Sequence, residues 1–420
     1  MNTFGFIVLV AILGEYVLSF TSTFLNLRAQ SPTVPKEFEA TYEPQEYQRS
    51  QDYTRTQTQF GVITNTIQLV IFLLWWFGGG FDWLDQIIRG FGYNSIINGL
   101  LYIGSLWLAT TLLALPFNIY STFVIEQKYG FNRTTPATFF SDQLKGLVLT
   151  ILLGSILVSV ILAFFEWSGS AAWLWCWLAT SCFLLVVQFV APTWIMPIFN
   201  TFTPLRSGEL HEAILNCSRK ADFPLKEIFV VDGSRRSSKA NAFFTGFGKN
   251  KRIGLFDTLV ENYSVGELVA VVAHEIGHYK KRHILKSMIL SLLYSGAMFF
   301  LLALVLQQQG LFDAFYMSNS SLYAGFVFFG LLFTPIELVL SLYMNRSSRK
   351  NEFEADAFAA ETTGREEDLI SALKKLSADS LSNLTPHPLH VFLNYSHPPV
   401  LRRIEALRRN AENKLESVSS

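Results

Sequence analysis

"VVAHEIGHYKKRHILKSMILSLLYSGAMFFLLALVLQ", Val271 to Gln307, runs a histidine-bearing segment straight into an unbroken apolar stretch. From Ile284 on, that stretch is long enough for a helix across a membrane, which needs about 20 residues for ~30 Å of hydrocarbon. In the polar half, His274 and His278 stand four apart with Glu275 between them. On a helix four residues turn the chain by about 40° past one full circle, so the two imidazoles share a face on adjacent turns. So placed they can bind one zinc, with Glu275 beside it to take a proton from water; two ordinary surface histidines would look the same. Ser264, with Glu267 three residues on, marks the start of this helix, and nothing before Ile284 marks its end. A helix running on towards a membrane span is therefore expected.

Half of the 420 residues are hydrophobic and only 16% are charged, and the mean hydropathy is positive. That is a membrane composition with a substantial polar portion. The formal net charge is zero, which argues against nucleic acid as a partner and against a polybasic anchor. Cys176 and Cys182 lie in an apolar run and Cys217 in a polar one, with no CxxC pair; neither a disulfide framework nor a cysteine zinc site is expected.

Seven apolar runs read as spans, near Phe4–Leu27, Phe60–Gly79, Ile97–Ile119, Leu144–Phe165, Ala171–Ile195, Ile284–Gln307 and Leu322–Met344. The first has no basic n-region and is too long for a signal peptide, so it reads as a retained helix. Seven crossings place 80–96, 166–170 and 308–321 on one side, where Arg89 is the sole lysine or arginine. The large polar regions 28–59, 196–283 and 345–420 then face the cytosol. Within them Lys226–Gly233, Lys239–Gly248 and Lys251–Leu259 read as strands, and Asn351–Glu361 and Arg365–Asp379 as helices.

Zinc catalysis calls for a third protein ligand and an open position. On an unbroken helix His283, nine residues after His274, falls on the opposite face, so it is rejected and read as a solvated or interfacial histidine. "SRKNEFEADAFA" offers better: Glu352 and Asp356 share a helix face, while Glu354 lies 200° round from Glu352. Alone this pattern reads more readily as an ordinary charged face; joined to His274, Glu275 and His278 on the same side of the membrane, the ligand reading is favoured. The pattern also resembles the second motif of the gluzincins, where the glutamate is the third ligand and the aspartate supports a ligand histidine. In "YSHPPVLRRI", His397 sits in a rigid stretch, either as a helper over a site or as a turn histidine before the next helix. His387 and His390 carry no functional expectation.

Together "AHEIGHYKKRH", "SRKNEFEADAFA", "YSHPPVLRRIEAL" and "NAFFTGFGKNKRIGLFDTL" resemble the integral-membrane CAAX prenyl proteases of the type I class, the zinc endopeptidases that also convert the yeast a-factor precursor. The likeness extends over most of the chain, including "PKEFEATYEPQEYQRSQDY". It implies a mostly α polytopic membrane fold of about seven helices enclosing a chamber, with a cytosol-facing zinc metallopeptidase domain that holds a small β-sheet. It implies one zinc ion per chain held by His274, His278 and Glu352, with Glu275 as general base and Asp356 in support. His397 and Arg402 would lie near the substrate or its oxyanion, and Asn241, Ala242 and Phe243 in an edge strand to which a peptide adds. The substrate would be a peptide or protein prenylated at a C-terminal CAAX motif, and the location the endoplasmic reticulum membrane of a eukaryote or the cytoplasmic membrane of a bacterium.

The expected organisation is an N-terminal membrane region at 1–198 with five helices, a first part of the metallopeptidase domain at 199–283, spans six and seven at 284–344, and the rest of the domain at 345–420. Other readings remain open at this stage: a peptidase acting on non-prenylated membrane proteins, or a transporter or scaffold with an incidental HExxH. Glu15 and Glu337, carboxylates inside the first and seventh runs, would serve either a hydrated interior or transport.

Overall fold

The computed structural model describes residues 1–246 and 251–419. Among these, seven helices are long and apolar enough to cross a membrane. The first two are α1 (Thr3–Arg28) and α2 (Pro44–Phe77). Short α3 (Gly80–Arg89) leads to α4 (Ser95–Tyr120), α5 (Pro136–Trp167) and α6 (Ala172–Val190). After α6 the chain makes a π-helical turn at Ala191–Ile195, beside Pro192, and ends the fifth span with single-turn α7 (Met196–Phe199). Proline lacks an N–H for the helical ladder, and the wider turn absorbs the defect.

The polar half begins with β1 (Phe202–Pro204), α8 (Glu209–Lys220), β2 (Leu225–Val231), β3 (Ala242–Thr245) and β4 (Lys251–Phe256). The sheet order is β1-β2-β4-β3, with β2 and β4 parallel and the outer pairs antiparallel. Three strands fall in the three segments expected, although the end of Lys239–Gly248 lies outside the described residues. β1, three residues ending in proline, carried no strand signal.

After α9 (Asp257–Asn262) comes α10 (Val265–Lys280), the histidine helix. Its start is the expected capping box: Ser264 Oγ accepts from Glu267 N, and Glu267 Oε2 accepts from Ser264 N. Its end corrects the sequence reading. The helix does not run on into the membrane; it stops at Lys280, Arg282 turns into the left-handed region at φ 58°, and α11 (His283–Val305) starts afresh. Neither glycine nor proline marks this break, and a non-glycine residue there costs about 1–2 kcal/mol.

The chain closes with α12 (Gln309–Asp313), α13 (Leu322–Thr363), α14 (Glu366–Asp379), α15 (Pro388–Asn394) and α16 (Val400–Ser419). The seventh span and the acidic helix, expected as separate pieces, are one 42-residue α13, since no breaker stands between Met344 and Asn351. It carries one set of side chains from the membrane into the polar half.

Two apolar cores flank α10. One joins Leu268, Val272 and Ile276 to the sheet and α8 through Ile214, Ile253 and Leu255. The other joins Ala270 and Ala273 to α14 and α16, and to Phe38, Tyr42 and Tyr47 from the α1–α2 segment. Each fully buried aliphatic side chain contributes about 1.5–3 kcal/mol, so α10 is held from both sides. A third core forms around α3 and α12, where Phe315 stacks on Trp76 and Phe328 and the ring of Phe81 meets Phe315 and Phe328 edge-on.

Candidate metal centre

α10 and α13 pack against each other, and their facing surfaces bring together the two motifs far apart in sequence. One nitrogen each from His274 and His278 and one oxygen from Glu352 all lie within 4.8 Å of one another. The Nε2 atoms of His274 and His278 are 3.2 Å apart. Glu352 Oε2 is 3.5 Å from Nε2 of His274, and Oε1 is 3.3 Å from Nε2 of His278. A tetrahedral site with bonds of about 2.0–2.1 Å has edges of roughly 3.3 Å, so the triangle is already metal-sized. Glu352 Oε2 is buried with no aligned hydrogen bond; its close neighbours are the ion-pair partners His274 Nε2 and Arg403 Nη1, which leaves a lone pair of the oxygen available to a ligand. Two imidazole nitrogens and a carboxylate oxygen are the donor set of catalytic zinc sites, so the residues present fit the ion.

Asp356, one turn beyond Glu352 and 2% exposed, places Oδ1 2.9 Å from Nδ1 of His274. That contact fixes the proton on Nδ1 and leaves Nε2 free to face the centre. Burial opposes charge on His274, but the contacts with Asp356 and Glu352 outweigh it and raise the imidazole to about 9. Burial would also raise the Glu352 carboxyl; His274, His278 and Arg403 instead hold it far below the usual range. For Glu275, partly buried on the same helix, desolvation dominates and lifts the carboxyl above its ordinary value.

His397 reaches the centre from the loop before α16, with Nε2 3.4 Å from Glu352 Oε1. Two expectations need correction. Arg402 does not approach the centre: it is exposed and, among the described residues, pairs with Glu405. Its neighbour Arg403 takes the place, because α16 begins at Val400 and one residue rotates the helix by about 100°. Its guanidinium forms a fork on Asp356, Nε to Oδ2 at 2.8 Å and Nη2 to Oδ1 at 2.6 Å, with Nη1 3.2 Å from Glu352 Oε2. Nor is His283 solvated. The break at Arg282 swings it back under His278, 3% exposed, with Nδ1 3.1 Å from Nδ1 of His278 and Nε2 3.1 Å from Glu354 Oε2.

β3 is an edge of the sheet and packs on α10, with exposed Asn241 at its entrance and Ala242 and Phe243 within it. On the other flank a cavity of about 580 Å³ extends from His278 and His283 between α6 and α11, along Leu184, Leu185, Met288 and Leu292. Glu15 and Glu337 are exposed on α1 and α13.

Known proteins match the chain along nearly its whole length. Residues 23–201 match the family described as CAAX prenyl protease N-terminal, five membrane helices, and 204–411 match peptidase family M48. The chain is 34% identical to a CAAX prenyl protease 1 homolog of Oryza sativa subsp. japonica, covering 97% of this chain and 99% of that one. It is 33% identical to CAAX prenyl protease 1 of Saccharomyces cerevisiae, over 91% and 90% of the two chains. The crystal structure of S. mikatae Ste24p superposes with a TM-score of 0.91 at 30% identity, covering 97% of this chain and 99% of that one.

Proposed function

The chain belongs to peptidase family M48, in its CAAX prenyl protease group, and from that premise we propose that it removes the C-terminal tripeptide of prenylated CAAX proteins with one zinc ion. It is a multi-pass membrane metallopeptidase acting on peptides or proteins. The observation that carries the proposal is the metal-sized triangle of His274, His278 and Glu352, backed by Asp356. When bound, zinc would supply a Lewis acid for the scissile carbonyl and lower the pKa of a water towards about 7.

The chain's own residues supply the rest. Glu275 accepts the proton of the attacking water and delivers it to the leaving amine; its raised pKa suits a group that must both take and release a proton. Arg403 neutralises Asp356 and Glu352 so that both stay ionised beside the histidines. His397, exposed at the rim, is placed to donate to the carbonyl oxygen as charge develops there. The outer edge of β3 would hold the peptide extended through backbone hydrogen bonds, which positions it without demanding much sequence.

The cavity beyond His278 supports a lipid-bearing substrate. A prenyl chain favours apolar surroundings by ~0.8 kcal/mol per buried CH₂, and this space is open to it while the peptide lies at the centre. Exposed Glu15 and Glu337 fit a hydrated interior between the helices. The placement of lysine and arginine supports a cytosol-facing centre, as in the endoplasmic reticulum membrane of a eukaryote.

The test is to purify the protein in detergent, measure its zinc, and compare it with Glu275→Ala on farnesylated and unmodified CAAX peptides. We expect the variant to keep about one zinc and lose cleavage. Equal cleavage by both proteins would overturn the mechanism, and cleavage of the unmodified peptide alone would overturn the substrate.

A further inference from the structure

We propose that His283 and Glu354 form a relay that fixes the ring of His278, as Asp356 fixes that of His274. The proposal rests on the metal reading above and concerns how this chain presets its second histidine.

A histidine 3% exposed is costly to bury unless its ring nitrogens are satisfied. Both nitrogens of His283 have partners, His278 Nδ1 and Glu354 Oε2, each at 3.1 Å. The protons can be assigned by elimination. Nε2 of His278 faces His274 and Glu352, so it must present a lone pair to hold a metal, which puts the proton of His278 on Nδ1. That N–H points at Nδ1 of His283, which must then accept. His283 is left with its own proton on Nε2, and donates it to Glu354. Any other assignment sets two lone pairs or two protons against each other at 3.1 Å, or turns an N–H into the centre.

The backbone is shaped to make this contact. On an uninterrupted α10, position 283 would face away from His274; the left-handed turn at Arg282 brings it back. Glu354 lies on the flank of α13 that faces the start of α11, and Lys350 Nζ stands 3.6 Å from its other oxygen. The strain at Arg282 is thus offset by contacts that end on His278. Such outer partners of a ligand histidine are worth about ten- to a hundredfold in metal affinity.

The test uses the full-length protein in detergent and zinc alone, with affinity read by chelator competition and folding by the unfolding midpoint of the metal-stripped protein. His283→Phe should weaken zinc by roughly ten- to a hundredfold. His283→Asn, whose Oδ1 stands where the accepting Nδ1 stood, should recover most of that loss. Glu354→Leu should weaken binding alone and add nothing on top of His283→Phe. Wild-type affinity in His283→Phe, or equal losses in the Phe and Asn variants, would overturn the relay while leaving the metal reading intact. If wild type holds zinc no better than His274→Ala, the metal reading itself fails and the relay with it.

Discussion

Gly277 lies against the backbone of Ala355: a Cβ on it would stand 3.1 Å from both the Cα and the carbonyl oxygen of Ala355. The glycine sits between His274 and His278 on the face of α10 that meets α13, so it sets how closely the histidines approach Glu352. Gly277→Ala should force the helices apart by a few tenths of an ångström, costing about 1–3 kcal/mol of stability. Because the ligand edges are only 3.2–3.5 Å, the same shift should lower peptide cleavage about tenfold. Gly154→Ala, in α5 with nothing within 4 Å of the added methyl, serves as the control. Full activity in Gly277→Ala would refute the account.

Arg403 and Arg402 are adjacent and should behave oppositely. Arg403→Ala leaves Asp356 and Glu352 as buried carboxylates without their cation, a loss of about 3–5 kcal/mol. Arg403→Lys should recover little, because an ammonium cannot reproduce the fork on Asp356. Arg402→Ala removes an exposed pair with Glu405 and should change stability by less than about 1 kcal/mol. Thermal unfolding and zinc content of the three variants decide the matter, and equal effects at 402 and 403 would reject the assignment.

The contrast between these two arginines marks what could be read in the sequence. Periodicity placed His274, His278, Glu352 and Asp356 on two faces, since the 3.6-residue repeat fixes relative direction within a helix. The length of the apolar runs marked the seven spans, and residue type marked three of the four strands among the described residues. Periodicity failed wherever direction depended on where a helix starts or stops. Arg403 rather than Arg402 faces the centre because α16 begins at Val400, and His283 faces it because α10 breaks at Arg282 without glycine or proline. β1 is held by pairing with β2 rather than by its own residues. The packing of Phe38, Tyr42 and Tyr47 against α14 and α16 joins segments more than 300 residues apart, which local pattern does not encode.

Metal binding should depend on pH through His274. Its imidazole is raised from 6.5 to about 9, so the charged form stabilises the metal-stripped protein below pH 6.5, and that contribution is lost as pH rises towards 9. A metal needs the neutral ring and must displace this proton. Zinc affinity should therefore rise about tenfold per pH unit between roughly pH 6.5 and 9 and level off above, while the metal-stripped protein becomes less stable over the same window. Chelator competition and thermal unfolding across that range test both slopes. An affinity that does not change with pH would show that His274 carries no displaceable proton.

The cavity between α6 and α11 offers a direct test of substrate class. Met288 lines it along with Leu184, Leu185 and Leu292, while His278 and His283 close the end at the metal centre. Met288→Trp would fill part of the space without touching the proposed ligands. If the prenyl chain lies there, the loss of room acts only on substrates that carry one. The variant should then lower kcat/KM for a farnesylated CAAX peptide by about tenfold or more, corresponding to at least ~1.4 kcal/mol of lost transition-state stabilisation. Cleavage of the same peptide without the lipid should stay within about twofold of wild type, because β3 and the metal centre are unchanged. Equal slowing of both peptides would mean that the substitution disturbs the centre rather than a lipid site, and no slowing of either would place the prenyl chain elsewhere.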